Sequence, residues 1–394
     1  MSDFFQNFPV TTIHRLPAPG VHGLPESMAR YADQRPPALL LPALASEMDG
    51  PAWPVILEQL HDVPWVREVV LALGAPSRKD FDRARAALAE LPMQTTVVWP
   101  GSEGLKKVFD DAKGGIDIGP PGKGRDVWIA MGYLLARGGL YAVGLHDADI
   151  VTYTKELPMR LLMPLVHPGL EYSFCKGYYP RISGDRLAGR VTRLLVMPLV
   201  GLLREWSPSN ALETIGAMRY PLAGEFGLTL DLANRIPIPR DWGLEIGILS
   251  AVSRAVEPGR ICQAELCGNY EHKHQELHPG DTSKGLNRMA LEVTSALLRE
   301  VDDPELLKGL VDRYRERALA MVPGYRADAL ANGLAYDREK ELAAIDTFAA
   351  AVQLALSCMG EEQELGPLPA WEETEKFVPG LKGRIVDAVV RDNS

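Results

Sequence analysis

Short apolar runs alternate with amphipathic segments over the first 150 residues of the chain. Each run is too short for a typical helix and is bounded by proline, glycine or polar residues, as buried strands are. Four strands are predicted, at Pro36–Leu44, Val66–Leu73, Gln94–Pro100 and the apolar start of Leu140–Val151. Strands that alternate with helices form a parallel, doubly wound α/β sheet, which binds its ligands at the carboxyl ends of the strands.

The segments between and after these strands have helical periodicity. Helices are predicted at residues 53–60, 77–91, 126–137, 190–203 and 242–255, with a further strand at residues 170–176. Ser77 is placed to cap the second helix, and Pro198 predicts a kink or a new start within the fourth. From about residue 285 the chain is nearly all helical. The wide apolar face of its last long helix is typical of intramolecular core, or of a dimer surface.

Composition narrows the class of protein. The 394 residues are 46% hydrophobic and 24% charged, as in ordinary globular proteins. The net charge of −10 argues against non-specific binding to nucleic acid. The four cysteines lack zinc-site spacing, which favours reduced thiols. The N-terminus does not resemble a signal peptide, and no run approaches the roughly 20 apolar residues of a membrane span. We therefore expect a cytoplasmic protein without membrane partners.

Candidate chemistry begins at the end of the fourth strand, where Asp147 and Asp149 flank Ala148. Two carboxylates at this spacing can approach one Mg²⁺ or Mn²⁺ that carries substrate phosphates. The alternative is that Asp149 only caps a helix starting near Thr154. Upstream, Lys123 lies among glycines in front of a helix, an arrangement that suits phosphate, although a flexible turn with a surface lysine fits equally.

Two further motifs carry polar groups that suit a binding site. Gly189, Arg190 and Thr192 open a helix, where a phosphate or carboxylate would be stabilised, or they are a plain helix start. Glu225 lies in a glycine-flanked turn and could contact sugar hydroxyls or act as a base, or it is a surface acid.

Histidines are concentrated in the segment NYEHKHQELH, which contains His272, His274 and His278. A neutral imidazole from this segment could complete a metal shell begun by the aspartates. The alternatives for this segment are a separate zinc site and a histidine-rich loop without metal.

The order of these motifs resembles one family. The chain has PAL after a strand, GKG before a helix, a strand ending in DAD, then GRVT, PLAGE, GLEIG and a downstream histidine. It is similar from Pro36 to Met289 to the glucosyl-3-phosphoglycerate synthases, retaining nucleotide-sugar glycosyltransferases of the GT-A fold, with their mannosyl-3-phosphoglycerate relatives.

The resemblance implies a GT-A fold, Rossmann-like with a mostly parallel sheet and flanking helices, plus a helical C-terminal extension. The implied division is an N-terminal extension at 1–35, a glycosyltransferase domain at 36–284 and a helical region at 285–394. Within the domain, residues 36–150 would bind the nucleotide sugar and residues 151–284 the acceptor.

The resemblance also implies roles for the candidate residues. Asp147 and Glu225 would be catalytic, and Asp149 would bind the metal with His272, or with His274 instead. The metal would be Mg²⁺, with Mn²⁺ or Co²⁺ as alternatives. Donor-binding residues would be Pro42, Ala43, Leu44, Glu47, Lys123, Asp147 and Ala148, and acceptor-binding residues Gly189, Arg190 and Thr192.

The implied reaction moves glucose from UDP-glucose to 3-phosphoglycerate, a step towards glucosylglycerate, in a homodimeric enzyme. The nearest alternative is mannosyl transfer from GDP-mannose. A non-catalytic nucleotide-sugar-binding protein and a nucleotidyltransferase are the other classes considered. Gly74 and Ala75 stand where the family has an acidic residue after the second strand, so the choice between uridine and guanosine stays open.

Overall fold

The computed structural model describes residues 6, 9–16, 24–112, 114–241, 243–272, 285–359 and 366–394. Within these residues the strands are β1 (Thr11–Ile13), β2 (Pro37–Leu44), β3 (Glu68–Gly74), β4 (Gln94–Val98), β5 (Ala142–Leu145), β6 (Phe174–Tyr178), β7 (Ile182–Ser183), β8 (Arg186–Leu187), β9 (Phe226–Thr229) and β10 (Ile261–Glu265). Eight of them form one sheet in the order β1-β10-β6-β9-β5-β2-β3-β4, and β7 pairs with β8 in a separate hairpin.

Pairing in the large sheet is parallel except at β9, which runs antiparallel to both β5 and β6. The carboxyl ends of β2, β3 and β5 therefore lie on one edge of the sheet. Because β9 is reversed, its amino-terminal end lies on that same edge. Because Gly144 of β5 pairs with Gly227 of β9, the residues just after β5 lie next to the residues just before β9. About 80 positions separate these two segments along the chain.

The α-helices of the described chain lie on both faces of the sheet and beyond it. They are α1 (Leu24–Gln34), α2 (Ala52–His61), α3 (Arg78–Leu88), α4 (Glu103–Ala112), α5 (Lys123–Arg137), α6 (Glu156–Val166), α7 (Met197–Trp206), α8 (Asn210–Ala217), α9 (Leu230–Arg235), α10 (Leu244–Ala255), α11 (Gly285–Leu298), α12 (Leu310–Ala331), α13 (Arg338–Ser357), α14 (Trp371–Phe377) and α15 (Leu381–Asn393). None of the described helices combines the length and the apolar character needed to cross a lipid bilayer.

The predicted strands and helices of the first half are confirmed. Ser77 caps α3, its side chain accepting a hydrogen bond from the Asp80 N–H. The predicted helix around Pro198 changes character there: a π-helical stretch at Val191–Val196 leads into α7. The interpretation of Asp149 as a helix cap is wrong, because α6 begins at Glu156 with Lys155 at its N-cap.

The C-terminal helices share the core of the sheet. The Trp371 ring, at the start of α14, stacks on Trp128 of α5 with 3.9 Å between centroids. Its indole N–H donates to the Trp128 carbonyl at 3.0 Å. Gly132 permits this approach, since a Cβ there would lie 2.2 Å from the Trp371 ring. The last helices therefore cover one face of the sheet, while the domain boundary at 285 stays a prediction.

Candidate active site

An ion pair joins the start of α5 to the end of β5. The Lys123 ammonium lies 2.6 Å from Asp147 Oδ1 and 3.5 Å from Glu245 Oε1. Gly124 is required beside it, because a Cβ there would lie only 1.9 Å from the Pro239 carbonyl oxygen. The glycines around Lys123 thus let the loop before α10 cross close to the helix start. The two motifs GKG and DAD meet at one point.

Both partners of this pair stay charged. Burial acts to lower the pKa of Lys123, but Asp147 and Glu245 outweigh it, so that the pKa lies above its ordinary value. Burial likewise acts to raise the pKa of Asp147, and the nearby Lys123 ammonium outweighs it and holds that pKa below its ordinary value. A fixed cation at the carboxyl edge of a parallel sheet is suited to a phosphate group.

Asp147 rests on the loop that leads into β9. A Cβ at Gly224 would lie 2.3 Å from Asp147 Oδ2, so only glycine fits beneath this carboxylate. The Asp147 backbone N–H is also 3.5 Å from Glu225 Oε1. The segment PLAGEF therefore packs directly against Asp147, through Gly224 and Glu225.

Glu225 is fully buried, at 0% exposure, so the interpretation of it as a surface acid is wrong. Tyr270 donates its hydroxyl to Oε1 at 2.6 Å, and Tyr179 donates to Oε2. The two tyrosine rings stack at 3.8 Å and hold both hydroxyls in place. Burial raises the pKa of Glu225, and repulsion from Asp147 raises it further. Both carboxylate oxygens are thus occupied by hydrogen bonds within the protein.

Asp149 and His272 form a second pair beside the first. His272 Nδ1 lies 3.4 Å from Asp149 Oδ2. The backbone brings them together, since Ile150 pairs with His272 in an antiparallel bridge and the Val151 N–H donates to the Glu271 carbonyl at 2.9 Å. Asp149 Oδ1 is buried and has no hydrogen-bond partner among the described residues.

This pair fits a divalent cation. A carboxylate oxygen and an imidazole nitrogen are suitable ligands for Mn²⁺, and the oxygen for Mg²⁺. No group of three metal-ligating side chains occurs in the described part of the chain, so other ligands would complete the shell. His274, the alternative ligand, lies outside the described residues.

The remaining predicted donor residues lie at the end of β2 and after β5. Leu44 is 59% exposed, whereas Pro42, Ala43 and Ala148 are buried. Glu47 Oε2 accepts the Leu44 N–H at 3.0 Å. Burial raises the pKa of Glu47 to about 7, and Asp149 and Asp147 raise it as well. Glu47 therefore faces the same acidic cluster and is part of the candidate donor site.

The predicted acceptor residues follow the β7–β8 hairpin. Gly189 has φ +72°, a conformation that favours glycine, and Arg190 is the N-cap of the π-helical stretch. Thr192 is 4% exposed, and its buried hydroxyl has no partner within the described residues. Arg181 donates to the Tyr220 hydroxyl at 2.8 Å beside Gly189.

Several residues of the site were not predicted. Lys176 has 0% exposure, and its ammonium donates to the Ala223 carbonyl at 2.5 Å, directly before Gly224. Burial lowers the pKa of Lys176 to about 8, against the opposing effect of Glu245 and Glu225. The motif CKGYYPRI contains both Lys176 and Tyr179, and it could have marked them as functional. Their partners, however, lie far away in the sequence.

Comparisons with known proteins identify the family of the chain. No family model matches the chain. A curated glucosyl-3-phosphoglycerate synthase from Persephonella marina is 36% identical, covering 100% of both chains. A second from Methanococcoides burtonii is 37% identical over 99% of this chain and 98% of its own length. The chain belongs to the glucosyl-3-phosphoglycerate synthase family.

Solved glucosyl-3-phosphoglycerate synthases share the fold. A crystal structure of the Mycobacterium tuberculosis synthase with Mn²⁺, UDP and glucosyl-3-phosphoglycerate has a TM-score of 0.54 at 22% identity, covering 74% of this chain and 88% of that one. Another, with Mn²⁺, UDP-glucose and phosphoglyceric acid, has a TM-score of 0.54 and covers 75% and 89%. The predicted family and the mostly parallel sheet with flanking helices are confirmed.

Proposed function

We propose that this enzyme transfers glucose from UDP-glucose to 3-phosphoglycerate and forms glucosyl-3-phosphoglycerate. The observation that carries the proposal is the match, over essentially the full length of both chains, to two curated synthases of that name. The pairs Lys123–Asp147 and Asp149–His272, side by side at the ligand-binding edge of the sheet, support it. A cytoplasmic location and a homodimer stay part of the proposal.

In the proposed donor site, Lys123 would contact the diphosphate, and Asp147 would contact the ribose or the sugar. Pro42, Ala43, Leu44, Glu47 and Ala148 would line the nucleotide pocket. UDP-glucose is favoured because Mycobacterium tuberculosis glucosyl-3-phosphoglycerate synthase has been solved with that donor. Gly74 ends β3 where the family has an acidic residue nearby, so GDP-glucose is a donor that needs testing.

Asp149 and His272 would hold a divalent metal, proposed as Mg²⁺, with Mn²⁺ or Co²⁺ as alternatives. The Mn²⁺ in the M. tuberculosis structures supports a divalent cation in general. When bound, such an ion neutralises the negative charge that develops on the leaving diphosphate. Lys123 would add a fixed positive charge to the same group, and a preorganised charge of this kind stabilises a transition state strongly.

The proposed acceptor site is the helix start at Gly189, Arg190 and Thr192. The Arg190 guanidinium would pair with one anionic group of 3-phosphoglycerate, and backbone N–H groups at the helix start would donate hydrogen bonds to the other. The buried Thr192 hydroxyl has no partner in the described chain and would donate to the same ligand. Holding the acceptor at both ends converts a bimolecular encounter into an oriented one.

We infer that Glu225 acts through Asp147 and is not a nucleophile. Its two oxygens are occupied by Tyr179 and Tyr270, and it is fully buried. Retention of configuration would then come from attack of the acceptor on the face that the diphosphate leaves, with the leaving phosphate oxygen taking the hydroxyl proton. The role of Glu225 would be to hold the Asp147 backbone in place by accepting its N–H.

A donor panel tests the proposal. UDP-glucose, GDP-glucose and GDP-mannose are each incubated with Mg²⁺, with and without 3-phosphoglycerate, and the nucleoside diphosphate and the sugar product are measured. We expect UDP release that depends on 3-phosphoglycerate and a glucosylated product. Preferential turnover of GDP-mannose would make the chain a mannosyltransferase. Nucleotide binding without release, or formation of pyrophosphate, would refute glycosyl transfer.

A further inference from the structure

The C-terminal helices contact the candidate acceptor site and the residues next to it at three places. We call residues 181–188, which carry β7 and β8, the acceptor hairpin. Ala335, between α12 and α13, donates its N–H to the Asp185 carbonyl at 2.8 Å and pairs with Arg186 in a parallel bridge. The second contact is an ion pair between Arg193, just after the acceptor residues, and Glu341 of α13.

Arg193 connects Glu341 to the backbone of Ala188 and Gly189. Its guanidinium donates two hydrogen bonds to the Glu341 carboxylate, at 2.7 and 3.1 Å. The Nε–H of the same guanidinium donates to the Ala188 carbonyl at 3.1 Å, and the Arg193 backbone N–H donates to the Gly189 carbonyl at 3.0 Å. Arg193 therefore holds the two carbonyls of the turn immediately before Arg190, one through its side chain and one through its backbone.

Tyr325 of α12 adds a third contact. The Arg193 guanidinium lies over its ring, 4.8 Å from the centroid, and the Tyr325 hydroxyl donates to the Arg193 carbonyl at 3.1 Å. The side chains of Arg193 and Glu341 are only 15% and 9% exposed. A buried bidentate pair of this kind is geometrically specific and is poorly replaced by water.

The turn needs support from outside itself. Gly189 has no side chain to fix its conformation, and its φ of +72° is one of several that glycine adopts freely. The Ala188 and Gly189 carbonyls are both held by Arg193, which is itself held by α12 and α13. The direction in which Arg190 and Thr192 present their polar groups thus depends on Glu341. This residue lies 148 positions from Arg193 in the sequence.

We propose that Glu341 is a positioning residue for the acceptor, so that α12 and α13 form part of the acceptor site. Through Arg193 it fixes the backbone between Ala188 and Arg190 in the conformation that binds the anionic groups of the acceptor. The identity of the acceptor, 3-phosphoglycerate, rests on the proposed function.

The test compares E341Q with E205Q. Glu205 of α7 also pairs with an arginine of α12, Arg317, at 2.7 Å. This pair is exposed, whereas the Arg193–Glu341 pair is buried and bonded to Ala188 of the acceptor hairpin. In E341Q we expect the KM for 3-phosphoglycerate to rise about tenfold, with the KM for UDP-glucose and kcat within about twofold of wild type. In E205Q all three constants should stay at their wild-type values.

Y325F is a milder second variant, useful where E341Q folds poorly. It removes the hydroxyl that holds the Arg193 carbonyl and leaves the ion pair in place. We expect a smaller rise in the KM for 3-phosphoglycerate, again without change for the donor. Calorimetric titration of 3-phosphoglycerate into each variant should show the same order of affinity.

The outcomes separate this inference from the proposed function. Wild-type protein that neither binds nor glucosylates 3-phosphoglycerate would refute the proposed function and this inference with it. An active wild type, together with E341Q and Y325F that behave like E205Q, would refute only the role of Glu341. An equal loss of affinity for donor and acceptor in E341Q would show a general structural role and would also refute it.

Discussion

The two carboxylates after β5 lie one residue apart but have different surroundings. Asp147 accepts a hydrogen bond from Lys123 at 2.6 Å, so its charge is already compensated within the protein. Asp149 lies against His272 and has a buried oxygen without a partner among the described residues. An oxygen of this kind is costly unless a ligand occupies it. We therefore propose Asp149 as the metal ligand and Asp147 as the residue that contacts the donor.

Asp149→Asn tests this assignment at a single residue. The amide keeps the shape of the side chain but removes its charge, so we expect kcat to fall by about 100-fold or more, the scale on which lost electrostatic stabilisation lowers rates. Mn²⁺ affinity, measured by electron paramagnetic resonance, should weaken in the same variant. Asp62→Asn is the control, since Asp62 pairs with Lys155 on an exposed surface. Unchanged Mn²⁺ affinity in Asp149→Asn would exclude Asp149 as a ligand.

At the scale of elements, the reversed strand β9 decides what lies under the donor site. Its antiparallel pairing with β5 and β6 brings the loop 221–225 beneath Asp147. Lys176 on β6 holds the same loop through the Ala223 carbonyl. The alternation of apolar runs predicted β2, β3, β4 and β5 as parallel strands, but it did not predict β9. Its reversed direction is set by its pairing with β5 and β6, which are distant in the sequence, and no local pattern reveals it.

Gly224→Ala tests the contact between this loop and the end of β5. The added Cβ would meet Asp147 Oδ2 at 2.3 Å, so the carboxylate must shift from the position in which it pairs with Lys123. A shift of about 1 Å can cost as much as 100-fold in rate, and we expect the kcat/KM for UDP-glucose to fall by at least about tenfold.

The matched control for that contact is Gly259→Ala, where a Cβ meets no atom within 4 Å. Both variants should unfold at nearly the wild-type temperature. Wild-type kinetics in Gly224→Ala would mean that Asp147 does not need its present position. Equal losses in both variants would point to a general effect of alanine for glycine.

At the scale of the whole molecule, the C-terminal helices stabilise the sheet and also contact the acceptor hairpin. Trp371 is 0% exposed and joins α14 to α5 by stacking and by a hydrogen bond. The helical periodicity after residue 285 predicted a nearly all-helical region and an apolar face on its last long helix, but not the surface on which these helices pack. The apolar face of a helix identifies which of its residues are buried, but it does not identify the strand or helix on which they pack.

Trp371→Ala should therefore destabilise the whole chain. Truncation of a fully buried tryptophan leaves a cavity and typically costs about 3–5 kcal/mol of unfolding free energy. Urea unfolding followed by circular dichroism measures this change. Phe377→Ala, on the same helix but 72% exposed, is the control and should differ little from wild type. A small effect in Trp371→Ala would mean that α14 contributes little to the stability of the sheet.

The sequence by itself determined the fold class, the helix start that carries Lys123, the strand end that is followed by Asp147 and Asp149, and the family. These features depend on neighbours in the chain, such as apolar periodicity, glycines around a turn and a carboxylate at a strand end, so local patterns reveal them. Only the tertiary structure decided that Glu225 is buried next to Asp147 and that Glu341 connects through Arg193 to Ala188 of the acceptor hairpin. Both depend on contacts between residues 45 or more positions apart, which are set by strand order and helix packing and by no local pattern.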